Sequence, residues 1–142
     1  MSSRLFTFMT TALALISVII TGCKGTEKQL TLADIRSKFE ERHIQLTPAK
    51  ATSSNSVFAR PYNGAKPSLY TIHSEKDPSV FIYIYPSASA AAAGFKAFED
   101  QTAAADFISH KEYLFANVIL FYIINEPSEV EPIDLAIAAL RS

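Results

Sequence analysis

The chain contains one cysteine, Cys23, and it directly follows Ile20, Thr21 and Gly22. An aliphatic residue, two small residues and then cysteine match the lipobox. At that motif a diacylglyceryl group is transferred to the sulfur and signal peptidase II then cleaves before the cysteine. Small side chains allow extended backbone to enter the peptidase site. The spacing therefore predicts signal cleavage between Gly22 and Cys23, and diacylglycerol with palmitate-type chains on the Cys23 sulfur.

The segment before this motif has the composition of a bacterial export signal. Residues 1–4 carry one positive charge, Arg4, and residues 5–20 are apolar to weakly polar. A retained transmembrane helix is the alternative, but residues 5–20 fall short of the roughly 20 apolar residues that span a bilayer. We predict a lipoprotein signal peptide at 1–22, a lipidated tether at 23–29 and a single α+β domain at 30–142. The predicted location is the extracytoplasmic face of the bacterial cell membrane, with the acylated Cys23 as anchor.

The net charge limits which electrostatic partners the chain can have, and the cysteine content shows how its core can be stabilised. The formal net charge is −1, and loss of Arg4 with the signal lowers it to −2. This near balance argues against nucleic acid or anionic lipid as an electrostatic partner. Because the sole thiol is assigned to lipid, no disulfide can form and the core must be stabilised by packing.

Two short polar patterns have the composition of metal ligands. His73 and Glu75 are separated by one residue, as are His110 and Glu112. Alternate side chains share a face of a strand, so each His-x-Glu pair could offer two ligands, and two facing pairs could bind a metal ion. The alternative is that both pairs are polar strand ends close to water.

Other catalytic templates are missing from the sequence. Assignment of Cys23 to lipid excludes a Cys–His nucleophile. The chain has neither a G-x-S-x-G elbow nor an S-x-x-K motif, and its four glycines form no phosphate-binding loop. We therefore predict no catalytic residues and no cofactor.

Hydrophobic periodicity predicts an α+β fold. A helix is expected from Leu32 to about His43, with Thr31 as its N-cap. Two similar runs follow, each reading strand, turn, aromatic-rich strand and helix, at about 68–104 and 108–141. The expected product is a four-stranded antiparallel sheet built from two ββα units, with helices on one face and an N-terminal helix before it.

The second face of this sheet is expected to be apolar and therefore to need a cover that shields it from water. In the strand at 79–85, Phe81, Tyr83 and Tyr85 lie opposite three aliphatic residues, and residues 118–124 are apolar on both faces. Either the first helix or the long loop at 51–67 covers that face, or a partner protein, a second copy or a hydrophobic ligand does.

The same face and loop supply the candidate binding surface, because Tyr and Arg are enriched at interfaces. Its members are Phe58, Arg60, Tyr62, Tyr83 and Tyr85. The alternative for the loop is structural: Phe58 and Tyr62 would pin it to the core.

Several of these segments resemble a group of small uncharacterised lipoproteins from Bacillus-type bacteria. The likeness covers the lipobox and about residue 63 to the C-terminus. Its matching stretches are 63–67 (NGAKP), Tyr70, 82–87 (IYIYPS), Gly94 with Phe95, Asn117 with Val118, and Phe121 with Tyr122. The resemblance implies an anchored extracytoplasmic domain and transfers no catalytic residues.

Three functional hypotheses follow from the sequence. The first is a lipid-anchored, non-enzymatic module that binds an envelope protein or ligand. The second is a metal-binding protein or metal-dependent hydrolase using the two His-x-Glu pairs. The third is a homodimer formed through the apolar sheet face.

Overall fold

The computed structural model describes residues 27–50, 57–73, 77–106 and 108–142. These residues form an α+β fold with an antiparallel sheet and three α-helices, which confirms the predicted class. The helices are α1 (Leu32–Glu40), α2 (Ala88–Thr102) and α3 (Val130–Arg141). The strands are β1 (Leu46–Pro48), β2 (Ser68–Ile72), β3 (Val80–Ile84), β4 (His110–Phe115) and β5 (Val118–Ile123).

The sheet contains five strands in the order β1-β2-β3-β5-β4, so the prediction of four strands is wrong. The additional strand, β1, is three residues long and pairs with β2 through Leu46 opposite Ile72 and Pro48 opposite Tyr70. Proline lacks the N–H of a central strand but is tolerated at an edge, which is where β1 lies. All the strand pairs are antiparallel.

Helices cover both faces of the sheet, which corrects the prediction of helices on one face only. On one face, α1 and α3 bury Phe39 and Ile137 against Ile82 and Leu120. On the other face, α2 and the 3-10 turn Val57–Ala59 pack on β3 and β5. The physical reason is the composition of the two central strands, β3 and β5. Their side chains are apolar on both faces of the sheet, so each face needs its own cover.

Local capping sets where the helices begin. Thr31 and Asp34 form a reciprocal capping box: the Thr31 hydroxyl accepts from the Asp34 N–H at 3.3 Å, and the Asp34 carboxylate accepts from the Thr31 N–H at 2.7 Å. The Thr31 N–H and the Thr31 hydroxyl both donate to the Asp34 carboxylate, and these two bonds lower the pKa of Asp34. The Ser87 hydroxyl caps α2 by accepting from the Ala90 N–H at 3.1 Å.

None of the helices in the described part of the chain is long and apolar enough to cross a membrane. The predicted signal segment at residues 1–22, and Cys23 with it, lies outside the described residues.

Candidate functional site

The aromatic residues predicted to form a binding surface are buried instead. Phe58, Tyr62, Tyr83 and Tyr85 are each 3% exposed or less, whereas Arg60 is exposed. A side chain without accessible surface cannot contact a partner, so the prediction is corrected for these four residues. The alternative that Phe58 and Tyr62 pin the loop to the core is the one that the structure supports.

Tyrosine hydroxyls attach the 57–62 segment to the sheet. The Tyr83 hydroxyl lies 2.8 Å from the Phe58 carbonyl oxygen and 2.6 Å from that of Arg60, so its proton is shared between them. The Tyr85 hydroxyl donates to the Tyr62 carbonyl at 3.0 Å. Burial raises the pKa of Tyr85 to about 12 and raises the pKa of Tyr83 further. These tyrosines therefore remain neutral hydrogen-bond donors that hold the segment over the second sheet face.

Phe58 fills the centre of this aromatic cluster. Its ring centroid lies 5.4 Å from that of Phe121, 5.7 Å from that of Phe81 and 6.0 Å from that of Phe98. These separations are typical of tilted aromatic pairs, which contribute beyond their buried area. Because α2 and this segment occupy the face, it is not exposed in the way that a homodimer formed through it would require.

The two His-x-Glu pairs do not converge. His73 follows β2 and His110 begins β4, and those strands are three inter-strand spacings apart, about 14 Å. The His73 Nε2 lies 3.4 Å from the Glu129 carboxylate, beside α3. The His110 ring lies 4.9 Å from the Phe58 ring, on the opposite face of the sheet.

Each described member of the predicted metal site has a local contact of its own. The His110 Nε2 lies 2.9 Å from the Glu112 carboxylate, and its Nδ1 donates to the Ile108 carbonyl at 2.8 Å. Glu75 lies outside the described residues. Across the described ranges, no group of three or more His, Cys, Asp or Glu side chains is placed to hold a metal ion. The expected four-ligand centre is therefore corrected, because β3 and β5 separate its two halves.

The site that the sequence did not reveal surrounds Asn117, in the turn between β4 and β5. Asn117 is 3% exposed, and its side-chain oxygen accepts from the Leu30 N–H at 2.7 Å. Its amide nitrogen donates to the Leu30 carbonyl at 3.1 Å and to the Tyr85 carbonyl at 2.9 Å. One buried side chain thus fixes both backbone groups of Leu30, immediately before α1.

The neighbouring residues continue this docking. The Gln29 side chain donates to the Pro86 carbonyl at 2.7 Å, and Lys28 donates to the Leu140 carbonyl at 3.0 Å. The contacted residues come from the end of β3, the β4–β5 turn and the last turn of α3. Together they define one end of the domain, which we call the docking end: Pro86, Asn117 and Leu140, with residues 27–30 upon them.

The sequence predicts a turn at residues 116–117, between the two strands of the second ββα unit, but it does not indicate the role of the Asn117 side chain. The bond to Leu30 spans 87 positions, so no local pattern indicates it. The available signal was a turn asparagine between two apolar strands, where a polar side chain must find a partner once it is buried.

Comparisons of the chain with protein-family models, with curated proteins and with solved structures give no significant match.

Proposed function

We propose that this chain is a membrane-anchored extracytoplasmic lipoprotein, held by diacylglycerol on Cys23, whose domain is a non-enzymatic binding module for an envelope protein or ligand. The observation that carries the proposal is the sequence at residues 20–23, which combines the lipobox with the chain's single cysteine. The resemblance to small lipoproteins of Bacillus-type bacteria supports the same assignment.

The docking of residues 27–30 supports it from the structure. The length of chain between a lipid anchor and a folded domain sets how far the domain can move from the membrane. Gln29, bonded to Pro86, lies six residues after Cys23. At about 3.4 Å per residue, six residues can reach at most roughly 20 Å, whatever their conformation. The domain therefore stays next to the membrane, as an envelope module would require.

A binding role is favoured over a catalytic one by how the reactive side chains are used. Cys23 is assigned to lipid, the Tyr83 and Tyr85 hydroxyls hold backbone carbonyls, and His110 is bonded to Glu112 and Ile108. Each group has a structural role in its present position. From the predicted binding surface, Arg60 remains exposed and is the residue from which we expect partner contact.

Protease treatment of intact cells tests the location. With the cell wall removed and the membrane intact, added protease should digest the domain while a cytoplasmic marker survives. Protection of both proteins until the membrane is lysed would contradict an extracytoplasmic domain.

Photo-crosslinking tests the binding role. A photoreactive residue in place of Arg60 should give a discrete adduct with an envelope component, whereas the same residue in place of Gln101, exposed at the end of α2, should not. Identical adduct patterns at both positions would contradict partner contact through Arg60.

A further inference from the structure

The surface charge of the domain is distributed unevenly along the strand direction. Four exposed cations lie at or next to the docking end. Lys28 docks beside α3, Lys50 follows β1, Lys66 precedes β2, and Arg141 closes α3. Antiparallel pairing brings the C-terminal end of β1 and the N-terminal end of β2 to the same end of the sheet as the β4–β5 turn.

These cations extend across the breadth of the sheet. Lys50 and Lys66 lie at the β1–β2 side, while Arg141 lies near β4, with its guanidinium 5.9 Å from the Phe115 ring centroid. The acidic side chains on this end are Glu27 and Asp34. The docking end is thus net positive in a chain whose formal net charge is −1. The expectation that the overall charge balance argues against anionic lipid therefore does not hold for this end of the domain, because the sum hides an uneven distribution.

The opposite end is acidic. The β2–β3 turn, the segment before β4 and the segment after β5 contribute Asp77, Asp106 and Glu126, all of them exposed. Arg42 is an exposed cation there, and Lys111 is bonded to Asp134 at 2.7 Å. The domain therefore has a charge asymmetry that runs from one end to the other.

We propose that the docking end faces and binds an anionic phospholipid surface, so that the domain stands on the membrane with its acidic end outward. The proposal rests on the proposed function, because it takes Cys23 as the point of lipid attachment. It goes beyond that function in naming the membrane as a second binding partner of the folded domain and in naming the surface that contacts it.

Chain length and charge both favour this orientation. The maximum reach of the chain between Cys23 and Gln29, roughly 20 Å, is shorter than the diameter of a domain of this size, about 35 Å. The acidic end therefore cannot rest on the bilayer while the docking end points away. Each Lys or Arg close to an anionic surface strengthens its association about five-fold, and the acidic end is repelled.

The test uses the mature acylated protein in vesicles that contain a headgroup-quenching lipid. A thiol-reactive fluorophore is placed at Ser89→Cys, at the start of α2 near the docking end, or at Ser128→Cys, before α3 at the opposite end. Both serines are exposed. In vesicles containing phosphatidylglycerol, we expect quenching at position 89 to exceed that at position 128 several-fold. Equal quenching on acylated protein would overturn the orientation while leaving the lipoprotein assignment intact.

Quenching at position 89 could result from binding of the basic end to anionic lipid or only from the short lipidated tether. A charge variant distinguishes these two causes. K50Q/K66Q removes two cations from the docking end, and R42Q/K96Q removes two exposed cations elsewhere. K50Q/K66Q should lower the ratio of membrane-bound to unbound domains, as measured by quenching at position 89, by up to about 25-fold. The control pair R42Q/K96Q should leave that ratio unchanged. Binding to anionic lipid would be overturned if quenching at position 89 were the same in pure phosphatidylcholine as in vesicles containing phosphatidylglycerol, and if K50Q/K66Q did not change it.

Mass spectrometry of the same samples distinguishes the two ways to fail. Acylated Cys23 leaves one reactive thiol in each labelled variant. Two labels per chain and no diacylglycerol mass would overturn the proposed function, and this proposal with it.

Discussion

The Asn117 side chain bonds to both backbone polar groups of Leu30, accepting from its N–H at 2.7 Å and donating to its carbonyl at 3.1 Å. The two residues are 87 positions apart in the sequence, and their bonds join the segment before α1 to the β4–β5 turn. Because Asn117 also donates to Tyr85, it connects the N-terminal segment, β3 and the β4–β5 turn.

Asn117→Ala should destabilise the domain by about 3 kcal/mol, because it leaves three buried backbone groups without partners. It should also release residues 27–30, which would appear as loss of hydrogen-exchange protection at the Leu30 amide. Urea unfolding measures the first effect. Gln101→Ala, at an exposed position, is the control and should change the free energy of unfolding by less than about 0.5 kcal/mol. An unchanged Leu30 amide in Asn117→Ala would contradict the docking role.

Gly94 permits the close approach of α2 to β3. A Cβ at this position would collide with the hydroxyl end of Tyr85, which is bonded to the Tyr62 carbonyl. Gly94→Ala should therefore destabilise the domain by about 1–3 kcal/mol, although alanine favours helix.

A double-mutant cycle identifies the cause of that loss. If the Tyr85 hydroxyl is the obstacle, Gly94→Ala should cost less in a Tyr85→Phe background than in the parent, as thermal or urea unfolding would show. An equal cost in both backgrounds would mean that another contact limits the position.

Tyr83→Phe should loosen the 57–62 segment, because the carbonyls of Phe58 and Arg60 lose their shared donor. We expect a loss of about 1 kcal/mol in the free energy of unfolding and faster limited proteolysis within that segment. Arg60→Ala, at an exposed position, is the matched control and should change neither. Equal proteolysis of both variants would contradict the structural role of the hydroxyl.

Alkaline pH should destabilise the fold through the same tyrosines. Burial, the largest cause, raises the pKa of Tyr85 from 10.0 to about 12, so folding favours the neutral phenol. Its contribution is fully present below the unfolded pKa and is lost as pH rises through the folded pKa. The free energy of unfolding should therefore fall between about pH 10 and pH 12.

Urea midpoints across that window, compared with those of Tyr85→Phe, measure the contribution of this residue. The variant should show a shallower decline, because it lacks one of the buried ionisable groups. The pKa values of Tyr62 and Tyr83 are also raised by burial, so part of the decline should remain. Identical slopes in parent and variant would contradict the burial of Tyr85.

The sequence predicts the antiparallel α+β class because short apolar runs of β-branched and aromatic residues, such as the one containing Phe81 and Tyr83, dominate their local structure. It also shows that the second sheet face needs a cover. It does not show which element supplies that cover, because α2 could pack on either face and only tertiary packing decides. For residues 44–50 the sequence indicates only a short extended piece that Pro48 ends. Its place in the sheet as β1 is not predicted, because three residues have almost no periodicity of their own.

For the candidate sites, the sequence shows residue types but not their long-range partners. His73 and His110 have the composition of ligands, yet the strand order places β3 and β5 between them. By its sequence context Asn117 is an ordinary turn residue. Its structural role depends on hydrogen bonds to Leu30, which is 87 positions away in the sequence. Lipidation at Cys23 is a separate case, since it is encoded in adjacent residues and stays a prediction here.

The central claim, lipid attachment at Cys23, is tested most directly by labelling cells that express the parent or Cys23→Ser with radioactive palmitate. The parent should incorporate label and mature to a shorter band. The Ser variant should remain unlabelled and retain its signal, because signal peptidase II acts on the acylated cysteine. Labelling and maturation of the Ser variant like the parent would contradict the lipoprotein assignment.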